Sequence, residues 1–169
     1  HDYAGALPLE QQVIETRTRR LGERHPDTLS ITVNHASTLR LAGCHDEALA
    51  LLKEVALRVL DVLGEKHPLH LAVLSIRADT LVASGRHAEG IAAYREAVQV
   101  RQRVLGERHH ETLRTVWELV EACRASGRDD EAERWQQRYL APLLAADPDT
   151  LDEPLANLAG AIRSHVDVR

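Results

Sequence analysis

Apolar residues recur at helical spacing in every segment of the chain, and nowhere do they alternate with period two. Between residues 2 and 20 the stripe is Ala6, Leu7, Leu9, Val13 and Ile14. A second helix is predicted over 29–41. A third, over 45–63, carries Ala48, Leu49, Leu51, Leu52, Val55, Ala56, Val59 and Leu60. The pattern continues over 71–83, 87–105, 113–125 and 129–145, and a last helix is expected over 150–164 with Pro154 near its start. Gly22, Gly43, Gly64, Gly85, Gly106 and Gly127 fall where each stripe stops, the place for a left-handed helix cap. The expectation is an all-α chain of alternating shorter and longer helices.

The connectors between them repeat. LGERHPDT at 21–28 returns as LGEKHPLH at 63–70 and as LGERHHET at 105–112, at offsets of 63 − 21 = 42 and 105 − 63 = 42 residues. A fixed period of this size signals stacked repeats, each burying its apolar stripe against its neighbours. Each unit reads as a shorter helix A, a glycine turn, a longer helix B and the connector, whose His-Pro starts the next helix A. Small residues stand where paired helices would approach closely: Ala36, Ala78 and Val120 in the A helices, and Ala6, Ala48, Gly90 and Ala132 in the B helices.

Small residue, large apolar residue, turn glycine and small residue in the partner helix follow one another as Ala36, Leu39, Gly43, Ala48, Leu52 and Val55. They recur as Ala78, Leu81, Gly85, Gly90, Tyr94 and Ala97, and then as Val116, Leu119, Val120, Cys123, Gly127 and Ala132. This order resembles the tetratricopeptide repeat. The 42-residue period and the LGxxHPxT connector resemble its kinesin-light-chain-like subtype, the ordinary period being 34. The resemblance implies an α-α superhelical solenoid forming one domain over 1–169. That domain comprises a half repeat (1–25), repeats at about 26–67, 68–109 and 110–146, and a terminal helix at 147–169. The chain opens on a helix B without its helix A, so it is expected to be a piece of a longer protein. Departures from the pattern are His110 for proline, a fourth connector shortened to Asp147-Pro148-Asp149-Thr150, Tyr139 late in the last helix B, and His35 and Arg77 where the family usually has leucine.

Composition narrows the function. Aromatics are 3% of the chain, with no Phe or Met, so the core must be built from Leu, Val, Ile and Ala. The net charge of −5 is spread over interspersed acids and bases with no basic stripe, so direct nucleic-acid binding is not expected. No apolar run reaches about 18 residues, so no membrane span is expected. Cys44 and Cys123 have no ligand-like spacing and read as reduced thiols of a cytoplasmic protein. His25, His67 and His109 recur because the connector recurs and read as helix-start residues rather than metal ligands. With no phosphate-cradling GxxxxGK and no nucleophile motif, neither an enzyme nor a cofactor or metal site is expected.

The resemblance implies that the A helices line a concave groove for a peptide or partner helix. Carried across, the groove residues are Ser30, Val33, Asn34, Ser37 and Arg40, then Ala72, Ser75, Asp79 and Val82, then Arg114, Trp117, Glu118, Glu121 and Arg124, with Asn157 from the last helix. Residues 33, 37 and 40, like 117, 121 and 124, lie three or four apart and share a helix face. The alternative for the charged members is a plain solvated surface. Trp117 is the expected anchor; Arg77 and its repeat-equivalent His35 break the local apolar rule, and read either as functional groove residues or as a polar pair at the groove rim. The leading function is a protein–protein interaction scaffold. The alternative is the sensor or autoinhibitory repeat arm of a larger bacterial signalling ATPase or transcriptional regulator, and a third reading pairs two copies as a homodimer.

Overall fold

The computed structural model describes residues 3–167, and every regular element within them is helical. Helix α1 spans Tyr3–Leu21, α2 Pro26–Leu41, α3 His45–Leu63, α4 Pro68–Ala83, α5 His87–Val104 and α6 His110–Ala125. α7 (Asp129–Trp135) runs through a π-helical turn at Gln136–Leu140 into α8 (Ala141–Ala145), and a 3₁₀ turn at Pro148–Thr150 leads to α9 (Glu153–Asp167). The A helices α2, α4 and α6 start 42 residues apart (68 − 26 and 110 − 68), and so do α3, α5 and α7 (87 − 45 and 129 − 87). The periodicity of the sequence is therefore the periodicity of the fold. Asp2, the expected start of the first helix, lies outside the described residues.

The connector histidines cap the A helices. Nδ1 of His25, His67 and His109 accepts the backbone N–H of Asp27, Leu69 and Glu111 at 3.2, 3.1 and 3.2 Å, satisfying a donor that the first helical turn leaves without a partner. The shortened fourth connector keeps the device with a different residue: an Asp147 carboxylate oxygen accepts the Asp149 N–H at 3.1 Å. There the turn is 3₁₀, and the last helix starts only after Asp152, whose carboxylate accepts the Leu155 N–H at 3.0 Å. This second cap moves α9 about one turn beyond the expected span of 150–164.

The chain forms two compact units, residues 1–93 and 94–169, with α5 contributing to each. In the first, α1 packs on α2, α2 on α3 and α3 on α4, and α2 also lies beside α4. Its core joins Leu29, Val33 and Ala36 of α2 to Leu52, Val55 and Val59 of α3 and Val73 of α4. Val33, read from the sequence as lining a groove, is 1% exposed and belongs to this core. The A-to-B turn is closed at Gly85 (φ +79°), where the Arg86 N–H reaches the Leu81 carbonyl at 2.9 Å and the Gly85 N–H that of Val82 at 3.0 Å. These are the paired bonds of a Schellman cap, which a left-handed glycine allows. Gly90 is needed for a different reason. A Cβ there would stand 2.6 Å from Val82 Cγ2 and 3.1 Å from Val82 N, so only glycine lets α5 approach α4 this closely.

In the second unit α6 packs on α7, on the π-helical turn and on α9, and α9 also meets α8. Leu113, Val116, Leu119, Val120, Ala122, Cys123, Ala132, Leu140, Leu143, Ala159 and Ile162 are its buried apolar residues on these helices. The helix expected to run unbroken over 129–145 is interrupted, and Pro142 accounts for it. Proline has no N–H for the carbonyl four residues back, and its ring crowds that carbonyl. The chain widens by one residue instead, so that the Ala141 N–H bonds the Gln136 carbonyl, an i to i+5 closure.

Candidate functional site

On α2 the buried residues occupy one side, and Ser30, Asn34, Ser37 and Leu41 follow one another along the opposite side at helical spacing. Asn34 is exposed, Ser30 and Ser37 are half-buried, and Leu41 is 45% exposed. Arg40 and Ser75 are half-buried, yet the Arg40 Nε and the Ser75 Oγ are cut off from solvent with no hydrogen-bond partner among the described residues. Ser75, Arg77 and Asp79 lie on α4, the helix beside α2. Arg77 and Asp79 are half-buried, and both have polar or electrostatic partners.

The corresponding residues of α6 are engaged within their own unit. Arg114 is exposed and pairs with Glu111 at 2.7 Å. Trp117 is half-buried, and the His165 ring of α9 meets its edge at a centroid distance of 5.8 Å and an interplanar angle of 75°. His165 Nε2 lies 2.9 Å from a Glu121 carboxylate oxygen, and the other oxygen of Glu121 accepts from Arg124 Nη1 at 3.1 Å. Arg124 Nη2 also donates to the side-chain oxygen of Gln136. Glu118 is half-buried and partnered, and Asn157 stands exposed on α9. His165 and Gln136 carried no signal in the sequence. One lies beyond the expected end of the last helix, and the other lies in the π-helical turn that Pro142 forces.

The two departures at leucine positions have different outcomes. His35 is 7% exposed, and its Nδ1 lies 2.8 Å from a Glu10 carboxylate oxygen, while the other Glu10 oxygen accepts the Thr38 hydroxyl at 2.9 Å. Glu10 occupies the repeat position of Leu52 (52 − 42 = 10), so helices α1 and α2 meet through a matched polar pair where α3 buries a leucine. His35 therefore ties two helices together inside the first unit, whereas Arg77 remains half-buried on α4.

The remaining candidate chemistry has structural explanations. Burial, then the Glu131 charge, pushes the Cys123 thiol up to about 11, so it stays protonated at neutral pH and is a poor nucleophile or ligand. Burial opposes ionisation of Glu131. Hydrogen bonds from Arg95, one of them 2.9 Å from Nε, outweigh it with help from Trp135 and Arg128, and the carboxyl is held below its ordinary range. Among the described residues no three His, Cys, Asp or Glu side chains are placed to hold a metal, and no helix is long and apolar enough to cross a membrane.

Repeated helical hairpins of 42 residues, joined by capped connectors, define an α-helical repeat protein. The chain belongs to the tetratricopeptide-repeat family, whose models match residues 27–86 and 70–141 and, separately, 1–27. Two solved structures share the fold. One is a Podosopora anserina putative kinesin light chain with nearly identical TPR-like repeats, at 24% identity, a TM-score of 0.75, and coverage of 98% of this chain and 82% of that one. The other is a variant of the same protein with the same identity, coverage and TM-score. No curated protein is significantly similar in sequence. The fold is the all-α helical repeat read from the sequence, and it is shared with a protein described as having kinesin-light-chain TPR-like repeats. Repeats of this family generally mediate protein–protein interaction.

Proposed function

We propose that the A-helix faces bind an extended peptide or a helix of a partner protein, each unit taken by itself, with Arg40 as the principal polar contact on the face of the first and Trp117 as the apolar contact on the face of the second. The observation that carries this reading is the state of Arg40. Arg124 stands two periods further on (124 − 40 = 84) and is satisfied by Glu121 and Gln136. At Arg40 the residue in the Glu121 position is Ser37 (121 − 84 = 37), and Arg40 Nε has no hydrogen-bond partner among the described residues. A donor shielded from water and unsatisfied costs about 1–3 kcal/mol. A partner's carboxylate or backbone carbonyl at this place would recover that cost, so Arg40 favours an occupied surface. Ser75 Oγ, shielded and unpartnered on the adjacent helix, adds a second such atom.

The test is selection of peptides from a displayed random library on the intact chain, followed by affinity measurement on three proteins. Arg40→Gln is expected to weaken the selected peptide about tenfold or more, the loss of one charge-assisted hydrogen bond. Trp117→Ala is expected to weaken a peptide selected on the α6 face by a similar factor, with the helical circular dichroism of both variants unchanged. Equal affinities across the three proteins would contradict the proposal.

A further inference from the structure

The second unit contains a pocket away from the α6 face described above. It encloses about 350 Å³, and its lining includes Leu113, Leu143, Leu151 and Leu155 together with Tyr139, Arg108, Arg138 and Glu107. The volume lies within the usual range for small-ligand sites. Three features set it apart from an accidental gap between helices.

The first is its origin. Tyr139 stands at the repeat position of Ala97 and Val55 (139 − 42 = 97 and 97 − 42 = 55), which are 0% and 1% exposed. An aromatic ring does not fit such a core position. Here the π-helical turn carries Tyr139 to a half-buried place, where its ring stacks on Trp135 at 5.4 Å and 22°. Such turns are frequent at functional sites.

The second is the chemistry of the lining, in which four leucines and Pro142 stand with two arginines and one glutamate. The third is that this charge is uncommitted. Arg108 has no hydrogen bond or ion pair among the described residues, and the Arg138 guanidinium lies 5.0 Å from the Tyr139 ring centroid with no acceptor. Glu107 is likewise unpaired, so the lining carries two cations and one anion, a net of +1. Elsewhere in this unit the guanidiniums of Arg95, Arg114 and Arg124 are matched by carboxylates.

We infer that this pocket binds a small apolar carboxylate, an alkyl or aryl acid whose hydrocarbon body lies against the leucines and whose carboxylate meets Arg108 and Arg138. Apolar burial supplies most of the driving force, and the guanidiniums choose an acid over a neutral molecule of the same shape, since two planar forks suit a carboxylate. The site is independent of the A-helix faces, so its test and theirs fail separately.

The test titrates the intact chain with octanoate, with 1-octanol as the neutral comparison, following the leucine methyl signals by NMR. Octanoate is expected to shift the methyls of Leu113, Leu143, Leu151 and Leu155 saturably and to bind at least tenfold more tightly than octanol. In the Arg108→Gln, Arg138→Gln double variant that preference should disappear, with octanol binding unchanged. Leu151→Trp, on the short connector where folding is least at risk, should block both ligands. Absence of saturable shifts, equal binding of acid and alcohol, or shifts centred on other methyls would each overturn the assignment.

Discussion

Leu52→Ala is expected to destabilise the first unit by about 2–5 kcal/mol, the range for deleting a fully enclosed leucine side chain. Leu52 is 0% exposed and belongs to the cluster with Leu29, Val33, Ala36, Val55, Val59 and Val73. Those neighbours come from three helices, so they cannot close on the void without moving a whole hairpin. The same helix supplies the control. Leu57 is 72% exposed, and Leu57→Ala should change stability by no more than about 0.5 kcal/mol. Urea denaturation of both variants checks the contrast. A Leu52→Ala loss below about 1 kcal/mol would mean that the unit does not depend on this core.

The second large effect is expected at the repeat position preceding Leu52. Glu10→Leu removes the partner of the buried His35 ring, while the Thr38 hydroxyl keeps the Asn34 carbonyl as an acceptor, and should cost about 1–3 kcal/mol from the one group left unsatisfied. Glu10→Leu combined with His35→Leu rebuilds the apolar contact that the family pattern calls for. Replacing both partners of a buried hydrogen bond by apolar groups of similar shape is close to neutral or stabilising. The double variant should therefore recover the loss of the single one and reach at least the stability of the parent. A double-mutant cycle followed by thermal or urea unfolding reads this directly. Additive losses in the double variant would show that Glu10 and His35 are not coupled.

These two positions also show how far the sequence could be read. The period, the alternation of A and B helices and the glycine caps were all legible, because each is a local signal repeated at fixed spacing. Ala36, Ala48 and Ala78 were read as close-approach positions, and each is 0% exposed. His35 was legible only as a broken rule. Its explanation lies in Glu10, 25 residues away, and a polar pair between two helices has no signature in either helix alone. Val33 was carried across with the groove residues, but in its own repeat it is the buried member of a position that holds Ser75 and Trp117 in the next two.

The π-helical turn was missed for a related reason. Pro142 was in plain view, but the helical stripe continues through it, and pattern alone does not say whether a proline bends, ends or widens a helix. The contacts of Trp117 with α9 depended on where that helix starts, which Asp152 sets by its cap. Helical spacing made the exposed side of each A helix legible, while the surroundings of its residues were not. Arg40 and Arg124 look alike in the sequence, and only the structure shows that Arg124 is held by Glu121 and Gln136 while Arg40 Nε has no partner among the described residues.

The most direct test of the binding surface is to map backbone amide shifts on adding a selected peptide to the intact, isotope-labelled chain. For a peptide held by Arg40 the shifts should concentrate at Asn34, Ser37, Arg40, Ser75 and Asp79, on α2 and α4 of the first unit. Shifts concentrated instead on the outward side of α3, at Lys53, Leu57 and Leu60, with the A helices unperturbed, would contradict it.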